Sequence, residues 1–156
     1  MSSAPVFTVT RTATPATAEG RAAAASAPFG TAFTDHWARA TWNAAEGWHD
    51  HRIEPLAPMS LHPAATVLHY GQQVFEGLKA YRWADGSVRL FRPEMNAERM
   101  AASAQRLSLP PVETDDFLAS IEALVAVDQA WIPDAPETSL YLRPLLFGTE
   151  PTLSVR

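Results

Sequence analysis

Residues 69–82, HYGQQVFEGLKAYR, hold the densest grouping of side chains suited to binding chemistry. In an extended strand, period-two alternation puts Phe75, Gly77, Lys79 and Tyr81 on one face and Val74, Glu76, Leu78 and Ala80 on the other. The first face offers an aromatic wall, a position with no side chain and a cation. Such a face suits a planar or anionic ligand lying close to the backbone. A half-buried strand with a glycine bulge fits the same pattern. In SLYLRPLLF (139–147), Tyr141 and Arg143 are two residues apart, so a phenol and a guanidinium point the same way. An arginine on an otherwise apolar strand needs a partner; a substrate carboxylate and an internal Asp or Glu both stay open. His49 and His51 flank Asp50 in WHDHR, but on a strand they share a face without meeting a third ligand, so edge histidines are expected and no metal site. No GxGxxG, Walker loop, HExxH or GxSxG occurs.

The elements that must position these residues follow from local pattern. Residues 74–82 read as one strand, and Asp85-Gly86 followed by SVRLF completes a hairpin. Pro93 stands where a first helical turn begins, and Met100, Ala104 and Leu107 share a face of the helix over 94–107. Thr114 is placed to cap a second helix reaching about Ala130, with Phe117, Ile121, Leu124 and Val125 as its buried stripe. Asp115 and Asp116 fall in its first turn, where the helix dipole favours them. Residues 139–147 read as a central strand, apolar on both faces. Strands, then helices, then a strand predict an α+β fold, a mainly antiparallel sheet with two flanking helices.

Residues 1–30 are rich in Ala, Thr, Ser and Pro and poor in large apolar side chains, so a disordered tail is expected, with residues 31–156 forming the folded domain. A transit peptide shares this Arg-bearing, acid-poor texture. The whole chain has 156 residues and a net charge of −5, which argues against nucleic acid as a partner. No apolar run reaches the length of a membrane span. Cysteine is absent, which excludes disulfides, thiolate catalysis and Cys-ligated zinc. Of the twelve basic residues only Lys79 is a lysine. With no secretory signal pattern, the cytoplasm is the expected location.

HYGQQVFEGLKAYR, LFRPEMNAERM (90–100) and SLYLRPLLFGTEPTLSV (139–155) closely resemble the N-terminal half of branched-chain aminotransferases, which are fold type IV pyridoxal-phosphate enzymes. FTDHW (33–37) and GWHDHRIEPL (47–56) fit in order and spacing, so the resemblance spans roughly residues 30–156. It implies the small N-terminal domain of such an enzyme. Arg99 matches the arginine that binds the phosphate of pyridoxal 5′-phosphate, for which a guanidinium fork is suited. Tyr70 and Phe75 match side chains lining the substrate pocket, with Gly77 between Phe75 and Lys79. Tyr141 and Arg143 match the pair that handles the distal carboxylate of glutamate or 2-oxoglutarate. Leu153 and Val155 match residues that reach a partner subunit's pocket, implying a homodimer.

The resemblance implies exchange between L-Leu, L-Ile or L-Val and 2-oxoglutarate, giving 2-oxo acids and glutamate. Such chemistry needs a lysine amine to hold the cofactor and move a proton. Lys79 matches a position that is Lys or Arg in the family and not that catalytic lysine, which belongs to a second, larger domain. The expectation is therefore no catalytic residue within these 156 residues and no activity from them alone. A non-enzymatic fragment, or a module pairing with an intact aminotransferase, is the alternative. Use of Lys79 as a substitute amine, or another fold type IV activity, fits the matching segments less well.

Overall fold

A computed structural model describes residues 4–154. A two-residue strand, β1 (Thr8–Val9), and a short helix, α1 (Ala18–Ala25), precede a long hairpin of β2 (His36–Asn43) and β3 (Gly47–Pro55). Asn43 closes the hairpin turn, its Oδ1 accepting from the N–H groups of Ala45 and Glu46 at 2.9 and 2.9 Å. Gly47, at φ +70°, takes the left-handed position that a side chain would strain. β3 pairs antiparallel with β2 and parallel with β1.

The second part of the chain runs through α2 (Thr66–Tyr70), β4 (Gln73–Phe75), β5 (Leu78–Arg82), β6 (Val88–Leu90), α3 (Pro93–Arg106) and α4 (Thr114–Val127). A 3₁₀ turn (Gln129–Trp131) leads to β7 (Leu140–Leu142) and β8 (Leu145–Phe147). The architecture is α+β, with small and mostly antiparallel sheets in the orders β1-β3-β2, β4-β8 and β6-β5-β7. Two fourteen-residue helices, α3 and α4, flank them as expected, and α1 and α2 are additional.

Each expected long strand is divided in two. The partners are nevertheless in one continuous register, from Gln73 opposite Phe147 to Ala80 opposite Leu140, and the Glu76 N–H donates to Pro144 O at 3.0 Å across the gap. Pro144 has no N–H to return, so the ladder loses a rung there without slipping. Alternation survives the break: Val74, Glu76, Leu78 and Ala80 are buried, while Phe75, Gly77 and Lys79 are exposed. Val74, Leu78 and Ala80 pack with Met100 and Ala104 of α3 and Phe117 and Ile121 of α4 into one core.

Pro93 does open α3, and Ala97, Met100 and Ala104 are buried on it. Leu107, expected on that face, lies just past the helix and is 40% exposed. Thr114 is the first residue of α4 rather than its cap; Glu113 holds the extended capping position without a side-chain bond. The helix stops at Val127, short of Ala130, because the chain tightens into the 3₁₀ turn.

The N-terminal stretch differs from the disordered tail expected of its composition. Its backbone is tied down by partners distant in sequence: Thr10 N–H to Ile53 O at 2.8 Å, Thr12 N–H to His36 Nε2 at 2.9 Å, and Ala16 N–H to Asp35 Oδ1 at 3.1 Å. Thr17 caps α1 by accepting from the Gly20 N–H. Main-chain bonds to the hairpin and the residue before it order a segment whose own side chains have little to bury.

Beneath this arm lies a buried pair. The His36 Nδ1 and Asp128 Oδ1 atoms are 2.6 Å apart, and Asp128 Oδ2 accepts from the His36 N–H at 3.0 Å. Since the Thr12 N–H can only donate, His36 Nε2 is an acceptor and the ring proton sits on Nδ1, toward Asp128. Asp35 is held nearby by the Trp131 indole N–H at 2.9 Å.

Candidate active site

The shared register of β5 and β7 places Lys79 opposite Tyr141, and continuing it across the break sets Gly77 opposite Arg143. Phe75, Gly77, Lys79, Tyr141 and Arg143 therefore occupy one face. The Arg143 guanidinium lies 4.5 Å from the Phe75 ring centre and 5.2 Å from that of Tyr141, a double cation–π arrangement. Of the two partners left open for this arginine, the internal acid is not taken up. Arg143 has no hydrogen bond or ion pair among the described residues.

The space above Gly77, expected to receive a ligand, belongs to Tyr141. A Cβ built on Gly77 would come within 2.2 Å of Tyr141 Oη. The absent side chain serves to seat the phenol against the strand. Phe29 meets the same ring edge-on, with centroids 5.0 Å apart. Phe29 was hidden from sequence reasoning by its place in a low-complexity stretch, where its size between Pro28 and Gly30 was the only signal.

Arg99 approaches from α3. Its Nε and Nη2 donate to Glu76 Oε1 and Oε2 at 3.0 and 2.8 Å, a fork-on-fork ion pair. Two of its three nitrogens are thus engaged, and Nη1 has no protein acceptor among the described residues. Glu76 also accepts from Asn96 Nδ2 at 2.8 Å and the Gly77 N–H at 3.3 Å. A cleft of about 430 Å³ is lined by Gly77, Lys79, Arg92, Asn96, Arg99 and Tyr141, among others. Lys79 and Arg92 have no acidic partner among the described residues, so the cleft is electropositive. A larger hollow of about 590 Å³ between Trp42, Trp48 and Pro111 shares no lining residue with this cleft and contains no cation.

Two of the other expected positions, Tyr70 and Leu153, are joined to each other and are not among the residues lining the cleft. The Tyr70 hydroxyl at the end of α2 donates to Leu153 O at 2.6 Å, tying together two residues that the sequence placed in the site. Val155 lies outside the described residues. His49 is held locally, its Nδ1 2.9 Å from Gly47 O.

Burial pushes the Glu76 carboxyl up, but the bonds from Arg99, Asn96 and the Gly77 N–H outweigh it and hold the group below the ordinary glutamate range. A depressed carboxylate adds stability that is complete above the ordinary glutamate range and is lost as pH falls through the folded-state value. Glu76→Gln is accordingly expected to cost about 1–2 kcal/mol at pH 7, moderated because Arg99 is largely solvated. The difference from the parent chain should shrink as pH falls from neutrality through the folded-state value. Urea unfolding of both proteins across that range measures it, and a pH-independent difference would contradict it.

Comparison with known proteins adds a second line. No protein-family model matches the chain. Over its whole length the chain is 49% identical to the branched-chain-amino-acid aminotransferase of Mycolicibacterium smegmatis, covering 43% of that protein. It is 49% identical to the enzyme of the same name from Mycobacterium tuberculosis H37Rv, over 96% of the chain and 41% of the relative. The mitochondrial branched-chain-amino-acid aminotransferase of Rattus norvegicus is 50% identical over 81% of the chain. Among solved structures, the branched-chain aminotransferase of Escherichia coli superposes with a TM-score of 0.50 at 28% identity, covering 62% of this chain and 30% of that one. The enzyme of Thermoproteus uzoniensis with norvaline gives 0.50 at 26% identity, with the same coverage. The chain spans about two fifths of the length of the mycobacterial relatives.

Proposed function

We infer, from the premise that the chain belongs to the branched-chain aminotransferase family and corresponds to the N-terminal portion of its members, that it supplies the substrate-facing part of a branched-chain transaminase. The substrates would be L-Leu, L-Ile or L-Val with 2-oxoglutarate, the products the 2-oxo acids and glutamate. The observation that carries this is the Arg143 guanidinium lying over the Phe75 ring, 4.5 Å from its centre, without an acidic partner among the described residues. Such a site must accept an aliphatic side chain in one half-reaction and a carboxylate in the other. Phe75, 61% exposed, offers the apolar wall. Arg143 and the Tyr141 hydroxyl offer the charge and the donor for the distal carboxylate. The norvaline in the Thermoproteus structure, an unbranched apolar amino acid, agrees with an apolar wall.

Pyridoxal 5′-phosphate fits the donor set of the cleft. The free Nη1 edge of Arg99, with Lys79 and Arg92 alongside, suits a phosphate dianion. When bound, that cofactor acts as an electron sink at the substrate α-carbon and carries the amino group. The role of this chain's residues is to bind and orient: Arg99 holds the phosphate end, Phe75 and Tyr70 exclude water beside the substrate side chain, and Arg143 fixes the carboxylate. The amine that moves the α-proton is assigned outside these residues, since Lys79 sits among the anion-binding groups. Exposed Phe29, Phe75, Leu145 and Leu153 around the site are consistent with cover by further protein, including a second copy in a homodimer.

The test is glutamate production from L-leucine and 2-oxoglutarate by the chain combined with the lysine-bearing remainder of the Mycolicibacterium relative. Arg143→Gln is expected to raise KM for 2-oxoglutarate about 10–100-fold, because a charge-assisted bidentate contact is lost. KM for L-leucine should change less than about threefold. Equal effects on both substrates would contradict the assignment.

A further inference from the structure

We propose that Glu76 and Asn96 are positioning residues that hold Arg99 in the orientation in which it receives a phosphate; this rests on Arg99 being the phosphate contact. Glu76 is the one charged side chain in the buried row of β4 and β5, 9% exposed between Val74 and Leu78. A carboxylate in that place is costly unless every lone pair is used. Four donors meet it: Arg99 Nε and Nη2, Asn96 Nδ2 and the Gly77 N–H.

Arg99 is the opposite case, with a side chain 60% exposed. Unrestrained on a helix surface, it would sample many rotamers, and a ligand would have to freeze them. Its contact with a carboxylate that is itself immobilised sets the guanidinium plane and leaves Nη1 as the unused corner. Asn96, one turn earlier on α3, bonds Glu76 and also Gly77 O at 3.1 Å. Helix and strand break are thereby locked together at the point where Arg99 and Tyr141 both line the cleft.

Charge and placement predict opposite signs for one experiment. A carboxylate beside the cleft repels a dianion, so if charge alone mattered, Glu76→Gln would tighten phosphate binding. If Glu76 positions Arg99, the same substitution weakens it, because the glutamine amide turns a donor toward the guanidinium. Glu76→Asp keeps the charge and shortens the reach, so it too should weaken binding.

Inorganic phosphate is titrated into the 156-residue chain by calorimetry, with thermal melts reporting folding of each variant. Arg99→Gln is expected to reduce affinity at least about tenfold, and Glu76→Gln, Glu76→Asp and Asn96→Ala about three- to tenfold each. Pyridoxal and pyridoxal phosphate titrated in parallel should show the loss only for the phosphorylated compound. If folded Glu76→Gln and Glu76→Asp bind phosphate as tightly as the parent or tighter, the proposal is overturned while Arg99 keeps its role. If Arg99→Gln binds like the parent, or the parent does not bind, the phosphate assignment fails and this proposal with it.

Discussion

In the proposed transaminase, Gly77→Ala is expected to weaken the use of 2-oxoglutarate by about 10–100-fold while leaving the fold intact, an overpacking penalty of roughly 1–3 kcal/mol. The backbone does not forbid alanine, since Gly77 has no left-handed φ. The obstacle is the Tyr141 hydroxyl, 2.2 Å from where the new methyl would stand. The methyl cannot move, so the phenol must. Its swing would also disturb the Phe29 edge contact and the Arg143 guanidinium 5.2 Å away. Because this face is exposed, the displaced ring meets solvent and not the core, and the melting temperature should change little. A KM for 2-oxoglutarate unchanged in the assembled enzyme, or a crystal structure with Tyr141 unmoved, would refute this.

The second large effect concerns stability. Asp128→Asn is expected to cost about 3 kcal/mol in urea unfolding, the upper range for losing a charged acceptor of buried hydrogen bonds. Helix electrostatics alone gives the other sign: Asp128 stands at the C-terminal end of α4, where a negative charge is unfavourable by about 0.5 kcal/mol and its removal would help. Burial decides between them. Both carboxylate oxygens receive donors from His36, and both residues are 5% exposed or less. An asparagine would turn its NH₂ toward one of these donors. The Thr12 N–H depends on the same imidazole, so the N-terminal arm should loosen together with the core, seen as faster tryptic cleavage after Arg11 and Arg21. Stability equal to or above that of the parent would show that the dipole dominates.

What was legible in the sequence tracks which force does the ordering. The alternation at 74–80 and the Pro93 helix start are side-chain patterns imposed by burial and by proline's ring, and both appear where expected. The N-terminal arm was illegible because backbone N–H groups hold it, and any residue but proline supplies one. Its acceptors, Ile53, His36 and Asp35, lie 19 to 43 residues onward, so no local window contains the partner. The interruption at Pro144 was visible as a residue, but apolar alternation on either side masked it. Within the site, Phe75, Lys79, Tyr141 and Arg143 could be placed on faces from strand periodicity alone. That the two strands pair in one register, with Tyr141 filling the gap at Gly77, required the fold. Alternation also put Glu76 on the core face, without naming Arg99 and Asn96 as the groups that make it tolerable there.

The unbroken register through the Pro144 gap has a consequence for how the chain finds its native state. A slip of one residue between β4–β5 and β7–β8 would exchange the faces, driving Lys79 and Phe75 inward and turning Val74 and Leu78 out to water. It would also strip Arg99 and Asn96 of Glu76, leaving a cation and an amide to search for another acceptor. A mispaired ladder is therefore penalised at three places at once, and the buried glutamate acts as a proofreading mark that only the correctly threaded strands satisfy.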